Sequence, residues 1–107
     1  MAKILRGTED DDVRQVKERL DRYESEHAGS EASLYRQNGS SIRVRIIDDR
    51  AAGMNRSSRH REAWRYLQDL NEDIQQQVTV LLLLPKSELG ASLMNLEFED
   101  PISSPIG

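Results

Sequence analysis

Arginine side chains are concentrated in one part of the chain, and their chemistry suits the binding of phosphate groups. Between Ile42 and Tyr66 the sequence holds seven arginines and three acidic residues, a local charge of +4 in a chain whose formal net charge is -4. Guanidinium groups hold phosphate through paired hydrogen bonds, and a locally positive surface attracts polyanions. The sequence therefore predicts a binding surface for nucleic acid, DNA in the first place, or for another acidic partner. Its residues are Arg43, Arg45, Arg50, Arg56, Arg59, Arg61 and Arg65.

The same arginines have a second interpretation, a solvated helix face. Asp48, Asp49 and Glu62 lie among them and can act as ion-pair partners. The negative charge of the whole chain and the absence of a basic tail or of a set of stacking aromatic residues count against nucleic acid. The acidic stretch from Glu97 to Asp100 can also compete for the arginines. Both interpretations stay open from the sequence.

Three other residues of this segment are assigned structural roles. His60 stands one helical turn before Trp64, which favours a histidine that packs against the core or makes a capping hydrogen bond over a ligand or pH-sensitive group. Trp64 falls on the apolar side of the predicted helix and is interpreted as a core anchor. Gly53 is assigned to the geometry of the preceding turn.

Catalytic and metal chemistry find little support in the residue types. The chain has no cysteine, which excludes disulfides, thiolate metal sites and thiol nucleophiles. Serines and acidic residues are plentiful, but they cluster in predicted turns, helix starts and the C-terminal tail, without a nucleophile and base or a pair of carboxylates in a pocket. We therefore predict a protein that is not an enzyme and that has no cofactor.

Length and composition indicate one small domain. The chain has 107 residues, of which 36% are hydrophobic and 32% charged, enough for one modest core. We predict a flexible N-terminal arm over residues 1–8, a folded domain over 9–86 and an extension over 87–107, with a short helix before a flexible acidic tail. The longest apolar run, Val80 to Leu84, is too short to span a membrane. A cytoplasmic location is the expectation.

Hydrophobic spacing predicts the elements of the first half of the chain. A helix capped by Thr8 and ending near His27 is expected to bury a stripe of apolar residues spaced by three or four. The segment 32–37 is a predicted strand, and Asn38-Gly39 favours a tight turn before a second strand over 42–47. In that second strand alternate residues are apolar, so Arg43 and Arg45 are expected on a basic, part-exposed face. The helical stripe consists of Val13, Val16, Leu20 and Tyr23.

The second half is predicted to hold two helices and one more strand. Asn55, Ser57 or Ser58 can cap a helix that runs to about Leu70, and a further short helix is expected from Asn71 to about Gln77. The segment VTVLLLL, residues 78–84, reads as a strand covered on both faces. The resulting order is helix, strand, strand, helix, short helix, strand, which predicts an α+β two-layer sandwich with a mixed three-stranded sheet.

The middle of the chain resembles the BolA-like family. The resemblance is carried by Asp49-Arg50, by Gly53-Met54, and by Arg59-His60-Arg61 at the start of a helix, directly after the strand IRVRII. It runs without a gap from about residue 42 to residue 85 and extends loosely back to the first helix. The resemblance implies a fold like the class II K-homology (KH) domain, although the Gly-X-X-Gly loop by which that class clamps RNA does not occur here.

The resemblance also implies two roles. BolA-like proteins are described as transcriptional regulators in the stress response, and as partners of monothiol glutaredoxins in the handling of iron-sulfur clusters. The second role uses a histidine at the start of the last strand, which falls on Gln76, and a histidine or cysteine in the loop between the first two strands, which is here reduced to Asn38, Gly39 and Ser40. Glutamine does not replace imidazole or thiolate as a ligand of iron. Cluster sharing is therefore not expected.

The leading hypothesis is a regulatory module that binds DNA through the arginine-rich turn and helix. The alternative is a protein-interaction module that binds a monothiol glutaredoxin or another partner without supplying cluster ligands. A third possibility is a homodimer formed through an apolar stripe after the last strand, made of Leu89, Leu93 and Leu96. The nucleic-acid sequence, the partner and the physiological signal do not follow from the sequence.

Overall fold

Residues 1–92 fold as a mixed α+β domain with three α-helices and a four-stranded sheet. The computed structural model describes residues 1–92 together with Asn95 and Phe98. The sheet has the order β1-β2-β3-β4, in which β1 and β2 are parallel, β2 and β3 antiparallel, and β3 and β4 parallel. The elements are β1 (Lys3–Ile4), α1 (Asp11–Glu26), β2 (Glu31–Gln37), β3 (Ser41–Ile47), a 3-10 helix (Asp49–Gly53), α2 (Arg56–Trp64), α3 (Glu72–Gln77), β4 (Val78–Leu84) and a second 3-10 helix (Lys86–Glu88).

Helix α1 supplies one wall of the core, as its spacing predicts. The four residues of the predicted stripe are fully buried. The helix begins later than expected, because Asp10 and not Thr8 is the capping residue: an Asp10 carboxylate oxygen accepts a hydrogen bond from the Val13 amide at 3.0 Å. The Asp10 carboxylate also receives two hydrogen bonds from the Arg36 guanidinium on β2, at 2.6 and 3.0 Å. These bonds join the start of the helix to the sheet.

The hairpin of β2 and β3 is confirmed. Asn38 and Gly39 have φ angles of 55° and 76°, the positive values that a two-residue hairpin turn needs and that these residue types tolerate. The register pairs Leu34 with Val44 and Ala32 with Ile46, which places their side chains in the core beside α1. The turn chemistry thus fixes which face of the hairpin is buried.

The N-terminal segment was predicted as a flexible arm, and there the structure differs. Residues Lys3 and Ile4 form β1, which pairs in parallel with Ser33 and Leu34 of β2, and Ala2 is buried in the core. The sheet therefore has four strands instead of the predicted three. A two-residue strand is too short to show any periodicity in the sequence.

Gly7 allows the backbone after β1 to pass close to β2, and we expect its replacement to destabilise the fold. Gly7 has a φ of 83°, and a Cβ atom there would lie 2.5 Å from the Arg36 carbonyl oxygen. We expect Gly7→Ala to lower the free energy of unfolding by about 2 kcal/mol, measured by urea denaturation. Gly29→Ala is the matched control, because Gly29 has a φ of 87° with nothing within 4 Å of the added atom. Equal losses in the two variants would contradict the close approach at Gly7.

Helix α2 is shorter than predicted. It ends at Trp64, and residues 65–70 form turns instead of continuing the helix to Leu70. In these turns the amides of Leu67 and Leu70 bond to carbonyl groups three residues earlier, and both side chains are buried. The predicted start of α3 is confirmed, and Asn71 is its cap, since the Asn71 side chain accepts a hydrogen bond from the Ile74 amide at 3.0 Å.

Strand β4 has the predicted bounds, and the segment after it differs in part. Pro85 is followed by the second 3-10 helix, Lys86–Glu88, which begins one residue before the predicted extension. Phe98 lies in the predicted flexible tail, yet it is 1% exposed and its ring lies 4.9 Å from that of Tyr35. Leu93 and Leu96 of the predicted dimer stripe, and the tail apart from Phe98, lie outside the described residues.

Within the described part of the chain, no helix is both long enough and apolar enough to cross a membrane.

Candidate binding surface on the second helix

The turn before α2 is held by two side-chain caps. A carboxylate oxygen of Asp48 accepts a hydrogen bond from the Arg50 amide at 3.0 Å at the start of the first 3-10 helix. The Asn55 side chain then accepts one from the Ser58 amide at 2.8 Å, which identifies Asn55 among the three predicted caps of α2. Gly53 lies in this turn as predicted, although no side chain would be hindered at its position. The caps fix the direction in which α2 projects its arginines.

Arg50 is engaged in a network that reaches into the core. The Tyr23 hydroxyl donates a 2.7 Å hydrogen bond to Asp48, and the Arg50 guanidinium lies 3.3 Å from the same carboxylate oxygen. Burial would raise the pKa of Asp48, but hydrogen bonds from Tyr23 and from Arg50 hold it below its ordinary value. Burial raises the pKa of Tyr23, and the bond to Asp48 raises it further. Arg50 is half-exposed, but part of its charge is neutralised by Asp48.

Arg59 is a structural arginine. Its guanidinium donates to the Ala51 and Met54 carbonyl oxygens at 3.0 and 3.1 Å, and to both carboxylate oxygens of Glu88 at 2.8 and 2.7 Å. The hydrogen bonds with Arg59 lower the pKa of Glu88, and those with Glu88 raise the pKa of Arg59. This side chain is 17% exposed. Arg59 therefore links the turn, α2 and the second 3-10 helix, and Glu88 neutralises most of its charge.

Arg43 and Arg45 lie on the outer face of the sheet, but this face is not the open basic surface that the sequence predicts. Arg45 is 8% exposed, donates a 2.7 Å hydrogen bond to Asn95, and lies 4.9 Å above the ring of Phe98. Arg43 is half-buried and donates to the Tyr35 hydroxyl at 3.2 Å. The prediction failed because Asn95 and Phe98 come from the C-terminal extension, which was predicted to lie outside the folded domain, and Phe98 from the part of it that was expected to be flexible.

The three remaining arginines of the predicted set share one surface. Arg56, Arg61 and Arg65 are exposed on α2 and at its end, and they line a shallow groove of about 580 Å³. Arg65 lies 3.4 Å from Glu62, whereas the side chains of Arg56 and Arg61 make no hydrogen bond or ion pair with any residue that the structure describes. We call this the α2 groove, and it is also lined by Ser57, His60, Trp64 and Gln68.

His60 and Trp64 line the α2 groove side by side. Their rings are nearly parallel, with an interplanar angle of 10° and centroids 5.9 Å apart. His60 is exposed and does not pack against the core as predicted, while Trp64 is half-buried, contacting the core on one side and the groove on the other. Their spacing of four residues did indicate that they share a helix face. It could not indicate that this face is partly open to solvent.

A second groove lies on the other side of α2. It has a volume of about 730 Å³ and runs between α2 and β4. Leu81 to Leu84 line it along β4, Met54, Arg56, Arg59 and His60 line it beside α2, and Glu88, Ala91 and Ser92 complete the lining. We call it the β4 groove. Arg56 and His60 belong to both grooves.

The residues that bear on iron-sulfur chemistry lie in α3 and in the hairpin turn. Gln76 is exposed in the last turn of α3, and Asn38 to Ser40 form the hairpin turn. In residues 1–92, Asn95 and Phe98, no group of three or more histidine or acidic side chains could hold a metal ion.

Comparisons with known proteins leave the resemblance to BolA-like proteins as a prediction. No protein-family model, curated protein or solved structure matches the chain. The glutaredoxin and homodimer hypotheses likewise stay predictions.

Proposed function

We propose that the protein is a non-enzymatic binding module that contacts nucleic acid through the α2 groove. The observation that supports this function is the placement of Arg56, Arg61 and Arg65 around one groove, two of them without a partner in the described residues. Unpartnered guanidinium groups can bind phosphate oxygens without breaking an existing ion pair. The predicted surface of seven arginines is thereby reduced to three.

The residue types of the α2 groove are suited to binding a ligand and not to catalysing a reaction. None of the described residues that line it is a carboxylate, so no acid-base pair of carboxylates is formed there. The faces of His60 and Trp64 can contact a sugar or a base while the arginines contact the backbone. Arginines on a single face position a nucleic acid but carry little sequence information.

A BolA-like regulator remains the most suitable class for such a module. The order α1, β2, β3, α2, α3, β4 is the one that the resemblance implies, and the 3-10 helix with Asp49-Arg50 leads into α2 at the place that the motif requires. Strand β1 is an addition to that order. We propose a role in transcription regulation, with the stress response as the setting that the resemblance suggests.

The proposed function predicts DNA binding that depends steeply on salt. Three arginine-phosphate contacts release about three counterions, so the affinity for duplex DNA should fall about 40-fold between about 50 mM and about 200 mM salt. Fluorescence anisotropy with a labelled duplex of mixed sequence measures this dependence, and a single strand of the same sequence is titrated in parallel. Absence of saturable binding to either probe at low salt would remove the proposed function.

A further inference from the structure

The side chains that line the α2 groove fall into two rows along the helix. His60 and Trp64 follow Arg56 at steps of four residues, and Arg61 and Arg65 are also four residues apart. Residues four apart lie above one another on a helix, whereas adjacent residues are rotated by about 100°. Arg65 continues the helical backbone, with φ and ψ of -53° and -29°. His60 and Trp64 therefore form a ring row, and Arg61 and Arg65 form an arginine row beside it.

Both rings of the ring row are accessible from the groove. His60 is exposed and Trp64 is half-buried, and their planes are only 10° apart with centroids separated by 5.9 Å. Aromatic side chains bind unpaired strands by stacking, because every base has a π face. Successive unpaired bases can lie parallel to one another, so the two parallel rings can each receive a base of the same strand. In a duplex these base faces are covered by the neighbouring base pairs.

The arginine row has a spacing and a charge that suit the backbone of such a strand. At about 1.5 Å of rise per residue, Arg61 and Arg65 are separated by about 6 Å along the helix axis, a distance comparable with that between successive phosphates of one strand. Arg61 makes no hydrogen bond or ion pair with any described residue. Arg65 lies 3.4 Å from Glu62, but its side chain is 64% exposed. Phosphates can therefore contact the arginine row while bases reach the ring row.

We propose that the α2 groove binds an unpaired strand of nucleic acid in preference to a duplex, with bases stacked on His60 and Trp64 and the backbone along the arginine row. A duplex can reach the same arginines, but its bases are stacked on each other and leave the rings without a partner. DNA and RNA share phosphates and base faces, so the preference is for the unpaired state. This inference rests on the proposed nucleic-acid function and specifies its ligand.

The emission of Trp64 tests stacking directly, because Trp64 is the only tryptophan of the chain. Titration of the full chain with a thymidine strand of about twelve nucleotides should quench this emission. At low salt the strand should bind at least about tenfold more tightly than its duplex with the complementary strand, and than a strand of equal length that has the same phosphates but no bases. Unchanged emission at saturation, or equal affinity of the duplex or of the strand without bases, would overturn the preference.

His60→Ala removes one ring from an exposed position. The variant should bind the thymidine strand about tenfold more weakly, while its affinity for the strand without bases stays within about twofold of that of the parent chain. Gln76→Ala is the matched control, because Gln76 is an exposed, uncharged residue of α3 outside the α2 groove, and it should leave both affinities within about twofold. Equal losses of affinity for the two strands in His60→Ala would contradict stacking.

Further ligands distinguish DNA from RNA and separate this inference from the proposed function. A uridine strand of the same length is titrated beside the thymidine strand, and tighter binding of one assigns the groove to that nucleic acid. Equal binding of single strands and duplex would contradict the preference but leave the proposed function in place, because the arginines alone can account for it. Absence of binding by every strand and by the duplex would remove both.

Discussion

Asp48→Ala is expected to lower the free energy of unfolding by about 3 kcal/mol at neutral pH. The substitution leaves the buried Tyr23 hydroxyl without its 2.7 Å acceptor and removes the cap of the first 3-10 helix. Arg50 loses its nearest carboxylate at the same time. Urea denaturation of the variant and of the parent chain measures the loss, and a loss below about 1 kcal/mol would show that the network contributes little.

The pH dependence of stability gives an independent test of the same network. Because the pKa of folded Asp48 is lowered, its ionised form stabilises the fold above the unfolded pKa of about 3.9, and this contribution is lost as the pH falls through the folded value. The difference in stability between the parent chain and Asp48→Asn should be constant from about pH 7 to about pH 5 and shrink below about pH 4. A difference that does not change with acid would contradict a lowered pKa of Asp48.

Tyr23→Phe is the matched variant on the alkaline side. The pKa of folded Tyr23 is raised, so the neutral hydroxyl contributes stability below the unfolded pKa of about 10, and that stability is lost as the pH rises above it. The phenylalanine variant keeps the ring contacts with His27 and Tyr66, whose centroids lie 4.1 and 5.0 Å from that of Tyr23. Its stability should therefore fall less in alkali than that of the parent. The pKa of Tyr66, raised to about 12 by burial and by Glu26, is common to both chains.

The elements that could be predicted from the sequence are those whose signal is local. The stripe from Val13 to Tyr23, the turn at Asn38-Gly39 and the apolar strand Val78–Leu84 each depend on spacing or on backbone preferences within a few residues. The α+β class followed from their order. Strand β1 was missed because two residues show no period and their partner, β2, lies about thirty residues away along the chain.

The candidate site was predicted less completely, because the role of each arginine depends on distant partners. Arg45 is buried by Asn95, and Arg59 is held by Glu88, but neither partner could be identified from the arginine-rich segment alone. The methylene groups of an arginine also pack against apolar surface while its guanidinium forms an ion pair. Composition therefore predicted a basic segment, but only the fold could separate the arginines that hold the structure together from those that are exposed around the α2 groove.

The distinction between structural and exposed arginines gives the prediction with the largest expected effect on the affinity for DNA. The triple variant Arg56→Gln, Arg61→Gln and Arg65→Gln should lower the affinity for duplex DNA about 100-fold at low salt and flatten its salt dependence, because each lost phosphate contact costs about 1 kcal/mol and removes about one counterion. Its free energy of unfolding should change by less than about 0.5 kcal/mol, since exposed side chains with few partners contribute little to stability. Anisotropy titration and urea denaturation measure the two quantities.

Two controls separate the α2 groove from the charge of the whole chain and from the structural arginines. The variant Lys3→Gln, Arg14→Gln and Arg22→Gln removes the same charge from exposed positions outside the groove. It should lower the affinity for DNA less than about fivefold, because only long-range attraction is lost.

Arg59→Gln is the second control and should affect stability instead of DNA affinity. We expect it to lower the free energy of unfolding by about 2 kcal/mol, because two carbonyl groups and Glu88 lose their donor. If Arg59→Gln instead weakened DNA binding as much as the triple variant without loss of stability, the seven arginines would form the single basic surface that the sequence predicts. The division between supporting and ligand-facing arginines would then be wrong.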